Sequence, residues 1–182
     1  GEALVLRGAG RVHAIEGLRL LPADIFEMGG KGFAQIELND KSRLLIGPNG
    51  RVLFNAAGPK QKPELSGYVI GGWFKFVGAS RDAKSNVPAL ELRSARFELP
   101  FAPGDLVGNL VGDQVDLFAE SGGIKLIERQ SASGAQMIEL KQGQHYSRKG
   151  ADQSVVHTGP QRALVTEMPR AFRDSLPARA GQ

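Results

Sequence analysis

From Phe33 to Phe54 apolar and polar residues alternate with a period of two, the signature of strands that bury one face. Ala34, Ile36 and Leu38 fall on one side; their partners Gln35, Glu37 and Asn39 fall on the other. Asp40-Lys41-Ser42 interrupts the run with polar residues, Leu44-Leu45-Ile46 resumes it, and Gly47-Pro48-Asn49-Gly50 turns the chain before Val52-Leu53-Phe54. Strand, turn, strand, turn, strand is the simplest reading. The same rhythm predicts strands over 11–15, 68–77, 89–93, 96–99, 114–118, 124–129, 137–141 and 144–148, separated by turns rich in glycine or containing proline.

Short strands at this spacing predict an all-β fold: a twisted two-sheet sandwich, a barrel, or a short solenoid-like wrap of strands. With 182 residues, 41% of them hydrophobic, the chain is large enough for one domain with its own core. Alternation fades after Gly150, so the β domain is expected over 1–150, with an irregular tail or linker over 151–182. Within the tail, Pro169 suits a first helical position and Pro177 discourages continuation. Residues 168–177 therefore form either one helical turn or an extended arm that packs Phe172 and Leu176 on the sheet or on a partner. The ending Ala-Arg-Ala-Gly-Gln reads as truncated, with a further region beyond it. Two loops, 56–64 and 79–88, read as connections or as binding loops.

Charge changes this picture little. The 23 basic and 19 acidic residues are interspersed, with no lysine and arginine block and no strand bearing a base-stacking aromatic triplet, so no nucleic-acid partner is expected. The absence of cysteine excludes disulfides, thiolate metal sites and cysteine nucleophiles. The longest apolar stretch, 68–77, is broken by Gly71, Gly72 and Lys75 and is too short to span a bilayer. No charged-then-apolar leader precedes Leu4.

His13, His145 and His157 have none of the spacings that pair metal ligands on one element, and no serine sits in a Gly-x-Ser-x-Gly elbow. The carboxylate pairs Asp24 and Glu27, and Asp113 and Asp116, read as solvated turn residues. No cofactor, metal or catalysis is expected. The least favoured alternative is a cupin-like metalloenzyme in which folding unites His13, His145 and a carboxylate.

In Trp73-Phe74-Lys75-Phe76 the strand period sends Phe74 and Phe76 into the core and Trp73 and Lys75 to the opposite face. Trp73 and Lys75, with Arg170, Phe172 and Arg173 of the terminal arm, are the candidate residues for contact with a protein partner. An unpaired sheet edge is another such surface. The alternative partner is a glycan or peptidoglycan, stacked on Trp73, Tyr68 or Tyr146.

One resemblance gathers several of these motifs. Gly10-Arg11-Val12, Leu21-Pro22-Ala23-Asp24-Ile25, the alternating run Ala34 to Leu38 with Asp40-Lys41-Ser42, and Leu44-Leu45-Ile46-Gly47-Pro48-Asn49 resemble the front half of FecR-type domains over residues 8–54. Val115 to Gly123 and the closing Leu140-Lys141-Gln142-Gly143-Gln144 resemble later family features. Ala23 and Lys41 stand where that family usually has glycine. The resemblance implies an all-β domain of the bacterial periplasm or cell envelope, related to the periplasmic parts of anti-sigma regulators that receive a signal from an outer-membrane receptor. A non-catalytic binding or signalling module with an envelope protein partner is the function it implies.

Overall fold

The computed structural model describes residues 2–38, 41–56, 65–78, 90–101, 104–130 and 134–174. Most of the two sequence-predicted loops, 56–64 and 79–88, and the arm beyond Asp174 lie outside the described residues. The strands are β1 (Ala3–Arg7), β2 (Gly10–His13), β3 (Ile25–Met28), β4 (Ala34–Glu37), β5 (Arg43–Ile46), β6 (Arg51–Ala56), β7 (Leu65–Val77), β8 (Leu90–Arg93), β9 (Phe97–Phe101), β10 (Asp105–Val111), β11 (Gln114–Ser121), β12 (Ile124–Gln130), β13 (Gly134–Leu140), β14 (His145–Lys149) and β15 (Val155–His157). Two short helices follow, α1 (Arg162–Glu167) and α2 (Arg170–Asp174). The all-β architecture expected from the alternation is the one observed.

The strands form two sheets that share one long member. The first runs β2-β1-β3-β6-β7-β8-β9-β12-β13. The second runs β4-β5-β7-β10-β11-β14-β15. The first half of β7 pairs with β6 and β8, and its second half with β5 and β10. The change of sheet falls at Gly71-Gly72. Gly72 has φ +82° and lies so close to the 47–50 turn that a Cβ would sit 2.3 Å from the backbone of Asn49. Only glycine allows that approach.

Inward-facing residues of both sheets make one core. Phe26, Phe54, Phe97 and Leu126 enter it from the first sheet; Ile46, Phe74, Phe76 and Leu117 enter from the second. β10 escapes the sequence reading because Gly108 and Asn109 interrupt its apolar run. Gly108 pairs with Phe74, and a Cβ there would lie 2.4 Å from the Phe74 ring, so the aromatic fills the space of the missing side chain. β1, β3 and β15 also went unread.

One buried polar bridge crosses the core. Tyr146 Oη on β14 donates a 2.6 Å hydrogen bond to Glu128 on β12. Burial pushes the Tyr146 phenol above its ordinary pKa, and the hydrogen bond to Glu128 pushes it further. Beside them Arg148 donates to the carbonyls of Arg129 and Asp152.

The C-terminal segment differs from the expected tail. β15 extends the second sheet, and α1 and α2 lie over that sheet's outer face, where Leu164 and Phe172 cover Leu45, Trp73, Val77 and Val107. Residues 151–174 thus continue the domain past the boundary expected at 150. The physical reason is that part of the second sheet's outer face, at Leu45, Trp73, Val77 and Val107, is apolar and needs a cover. Of the two forms expected for 168–177, the helical turn is present over Arg170–Asp174, preceded by Pro169, and it packs Phe172 on the sheet.

Candidate binding site under the C-terminal helices

Register aligns the outward side chains of the second sheet in rows. Trp73 stands opposite Asn109, Asn109 opposite Asp116, and Asp116 opposite Ser147. In the next row Lys75, Val107, Phe118, His145 and His157 follow one another across the strands. Helix α1 lies above these rows, leaving a cavity of about 340 Å³ between its Leu164 and Glu167 and a floor of Trp73, Asn109, Asp116 and His145.

The floor is a hydrogen-bonded network with a defined proton arrangement. The backbone N–H of Gln161, just before α1, donates to His145 Nδ1 at 3.0 Å. A backbone amide can only donate, so Nδ1 carries the lone pair and the ring proton is on Nε2, which faces Asp116 Oδ1 at 2.9 Å. The imidazole is neutral in this arrangement and links the start of α1 to the sheet. Gln114 Nε2 donates to Ser147 Oγ at 3.0 Å and to Asp116 Oδ2 at 3.4 Å. Asn109, 8% exposed, has an Oδ1 with no hydrogen-bond partner among the described residues.

At the neighbouring end the same face is closed. Lys75 is fully buried; its Nζ donates to the Phe172 carbonyl at 2.9 Å and lies 2.9 Å from Glu120 Oε2. A buried ammonium is tolerated only when paired in this way. Phe172 meets Trp73 edge-on, with ring centroids 6.4 Å apart, and reaches Gly47, where a Cβ would lie 2.9 Å from the ring.

Trp73 and Lys75 therefore share a face, as the strand period required, with Phe74 and Phe76 on the other. The structure corrects their expected exposure: Trp73, Lys75 and Phe172 are buried against one another inside the molecule. A partner reaches Lys75 and Phe172 only by displacing the helices. Arg170 and Arg173 stay on the surface, and the Arg173 guanidinium donates to the Val165 carbonyl. Tyr146 is fully buried and cannot stack on a sugar, whereas Tyr68 is at the surface. His13 lies on β2 of the first sheet and His145 on β14 of the second; no three His, Cys, Asp or Glu side chains gather as metal ligands among the described residues. Asp24 is a buried partner of Arg7, and Glu27 pairs with Arg51. Asn109, Gln161 and Glu167 were not singled out in the sequence. Trp73, Asp116 and His145 were each singled out in the sequence, but separately; only the fold brings them together.

No protein-family model matches the chain, and no curated protein matches it. Among solved structures, two crystal structures of a “putative anti-sigma factor” from Parabacteroides distasonis ATCC 8503 are similar. The TM-scores are 0.58 and 0.55, at 8% sequence identity in each case. The fold is shared. The similarity covers 78% of this chain and 62% of that one, so this chain spans under two thirds of its neighbour's length. At this identity the likeness concerns architecture and carries no residue role.

Proposed function

We propose that this chain is a FecR-type, non-catalytic signalling module of the bacterial cell envelope that recognises a protein partner. The observation that carries the reading is the backbone at two positions. Ala23 has φ +70° and Lys41 φ +71°, left-handed conformations that non-glycine residues rarely adopt. Both positions hold glycine in the FecR pattern, and a left-handed backbone at both is what such glycines would serve, which supports the reading. The shared fold with the “putative anti-sigma factor” supports the same reading and is the reason to look for a protein partner.

Strand addition is the mode of recognition this fold offers most readily. Among the described residues β13 pairs with β12 alone and ends the first sheet. Its seven residues include neither lysine nor proline, the usual guards of a free edge, and Met137 is 63% exposed.

The test is photo-crosslinking in cells of the source organism, with a crosslinking residue at Met137 and, as control, at Val111, which is equally exposed. A discrete adduct to an envelope protein from Met137 alone is the expected result. Adducts that are the same from both positions, or that contain only cytoplasmic proteins, overturn the reading.

A further inference from the structure

We propose that β13 pairs with β13 of a second copy of this chain, antiparallel about a two-fold axis at Met137; the proposal rests on the reading of β13 as an open edge. In an antiparallel sheet, residues opposite each other point to the same face, so a two-fold axis normal to the sheet passes through a residue position and never between two. Only an axis at Met137 brings all seven residues of the strand into register. Met137 then meets Met137, Ala135 meets Glu139, Gln136 meets Ile138 and Gly134 meets Leu140. An axis at Glu139 would set two carboxylates face to face, whereas this one opposes no like charges.

The strand is self-complementary in that register. On the outer face Met137, 63% exposed, lies beside the half-buried Ile127 of β12. Two copies give the row Ile127, Met137, Met137, Ile127, an apolar stripe continuous across the axis. The neighbouring row runs Lys125 and Glu139 of one copy, then Ala135 and Arg129 of the other. The Glu139 carboxylate therefore lies between basic residues of both copies, although Arg129 also pairs with Glu98. β12 already holds β13 as a strand along all seven residues, so the contact orders little new chain. Seven pairs exchange about six to eight backbone hydrogen bonds. The symmetry also closes, because each copy spends its β13 edge and leaves none there for a third. While the copies are paired this edge is shut to other strands, and a protein partner has to displace the second copy.

One strand per chain is a small interface, so the dimer is expected to form at about 10–100 μM. Sedimentation equilibrium of the purified chain from about 10 to about 500 μM should show reversible dimerisation. Met137→Lys sets two ammonium groups face to face and should weaken the dimer at least about tenfold. The melting temperature of the dilute variant should match the parent's, because residue 137 faces solvent in the monomer. Met137→Glu alone should behave in the same way, and an equimolar mixture of the two folded variants should restore a dimer containing one of each. The proposal is overturned if the parent stays monomeric over that range, if Met137→Lys dimerises like the parent, or if the mixture stays monomeric. A monomeric parent leaves the envelope partner in place, whereas a dimer found together with no envelope adduct from Met137 removes that partner and keeps the self-pairing.

Discussion

The ammonium of Lys75 donates a hydrogen bond to the carbonyl of Phe172, 97 residues further along the chain. This contact, with the edge-on packing of Phe172 against Trp73, fastens α2 to the second sheet. A helix of five residues has no stability of its own, so its order comes from this packing.

Removing the Phe172 ring should therefore loosen the cover and uncover Trp73. Phe172→Ala is expected to cost about 3–5 kcal/mol, the usual range for a buried phenylalanine. Chemical denaturation measures the loss, and a red shift of tryptophan emission in the folded state reports the uncovered indole. Unshifted emission would show that α2 stays docked without its ring.

The buried pair of Lys75 and Glu120 yields a second expectation. Lys75→Met leaves the carboxylate buried without its ammonium and should cost about 3–5 kcal/mol, whereas the double change Lys75→Met with Glu120→Leu should recover most of that. The double-mutant cycle by thermal melting decides it. Equal losses in the single and double variants would mean that the pair is not the coupled unit described.

Left-handed backbone at Ala23 and Lys41 strains any residue with a Cβ. Ala23→Gly and Lys41→Gly should each stabilise the protein by about 1 kcal/mol, the relief of strain exceeding the extra flexibility of the unfolded chain. A fall in melting temperature for both would contradict the assigned turn conformations.

Asp24 sets a dependence on acid. The Arg7 guanidinium grips its carboxylate through two hydrogen bonds, at 3.0 and 2.8 Å, and the Leu21 amide adds a third at 2.7 Å. The Arg7 hydrogen bonds hold its pKa below the ordinary 3.8, against an opposing effect of burial. A depressed folded-state pKa gives stability that is present above 3.8 and is lost as pH falls through the lower, folded value. Asp24→Asn should thus reduce stability at neutral pH and flatten its decline below pH 3.8. Parallel stability curves for parent and variant across that window would rule out Asp24 as the responsible group.

Much of the architecture was legible because a strand sends alternate side chains to opposite faces whatever its neighbours are. That rule alone separated Trp73 and Lys75 from Phe74 and Phe76. It also marked Ala34, Ile36 and Leu38 as one side of a strand, and it placed corners at 47–50 and near residue 41. What it could not tell was whether the second face of a strand meets water. For β7 that was decided by residues roughly a hundred positions later, when α1 and α2 settled over Trp73 and Lys75. β10 was hidden because the reason for Gly108 is the Phe74 ring on another strand. The cavity was hidden for the same cause: Asn109, Asp116 and His145 come from three strands, and only the pairing register sets them side by side beneath Glu167. Periodicity is a local property of the backbone and can be read in one dimension, whereas cover, register and cavity arise from contacts between distant segments and exist only once the chain is folded.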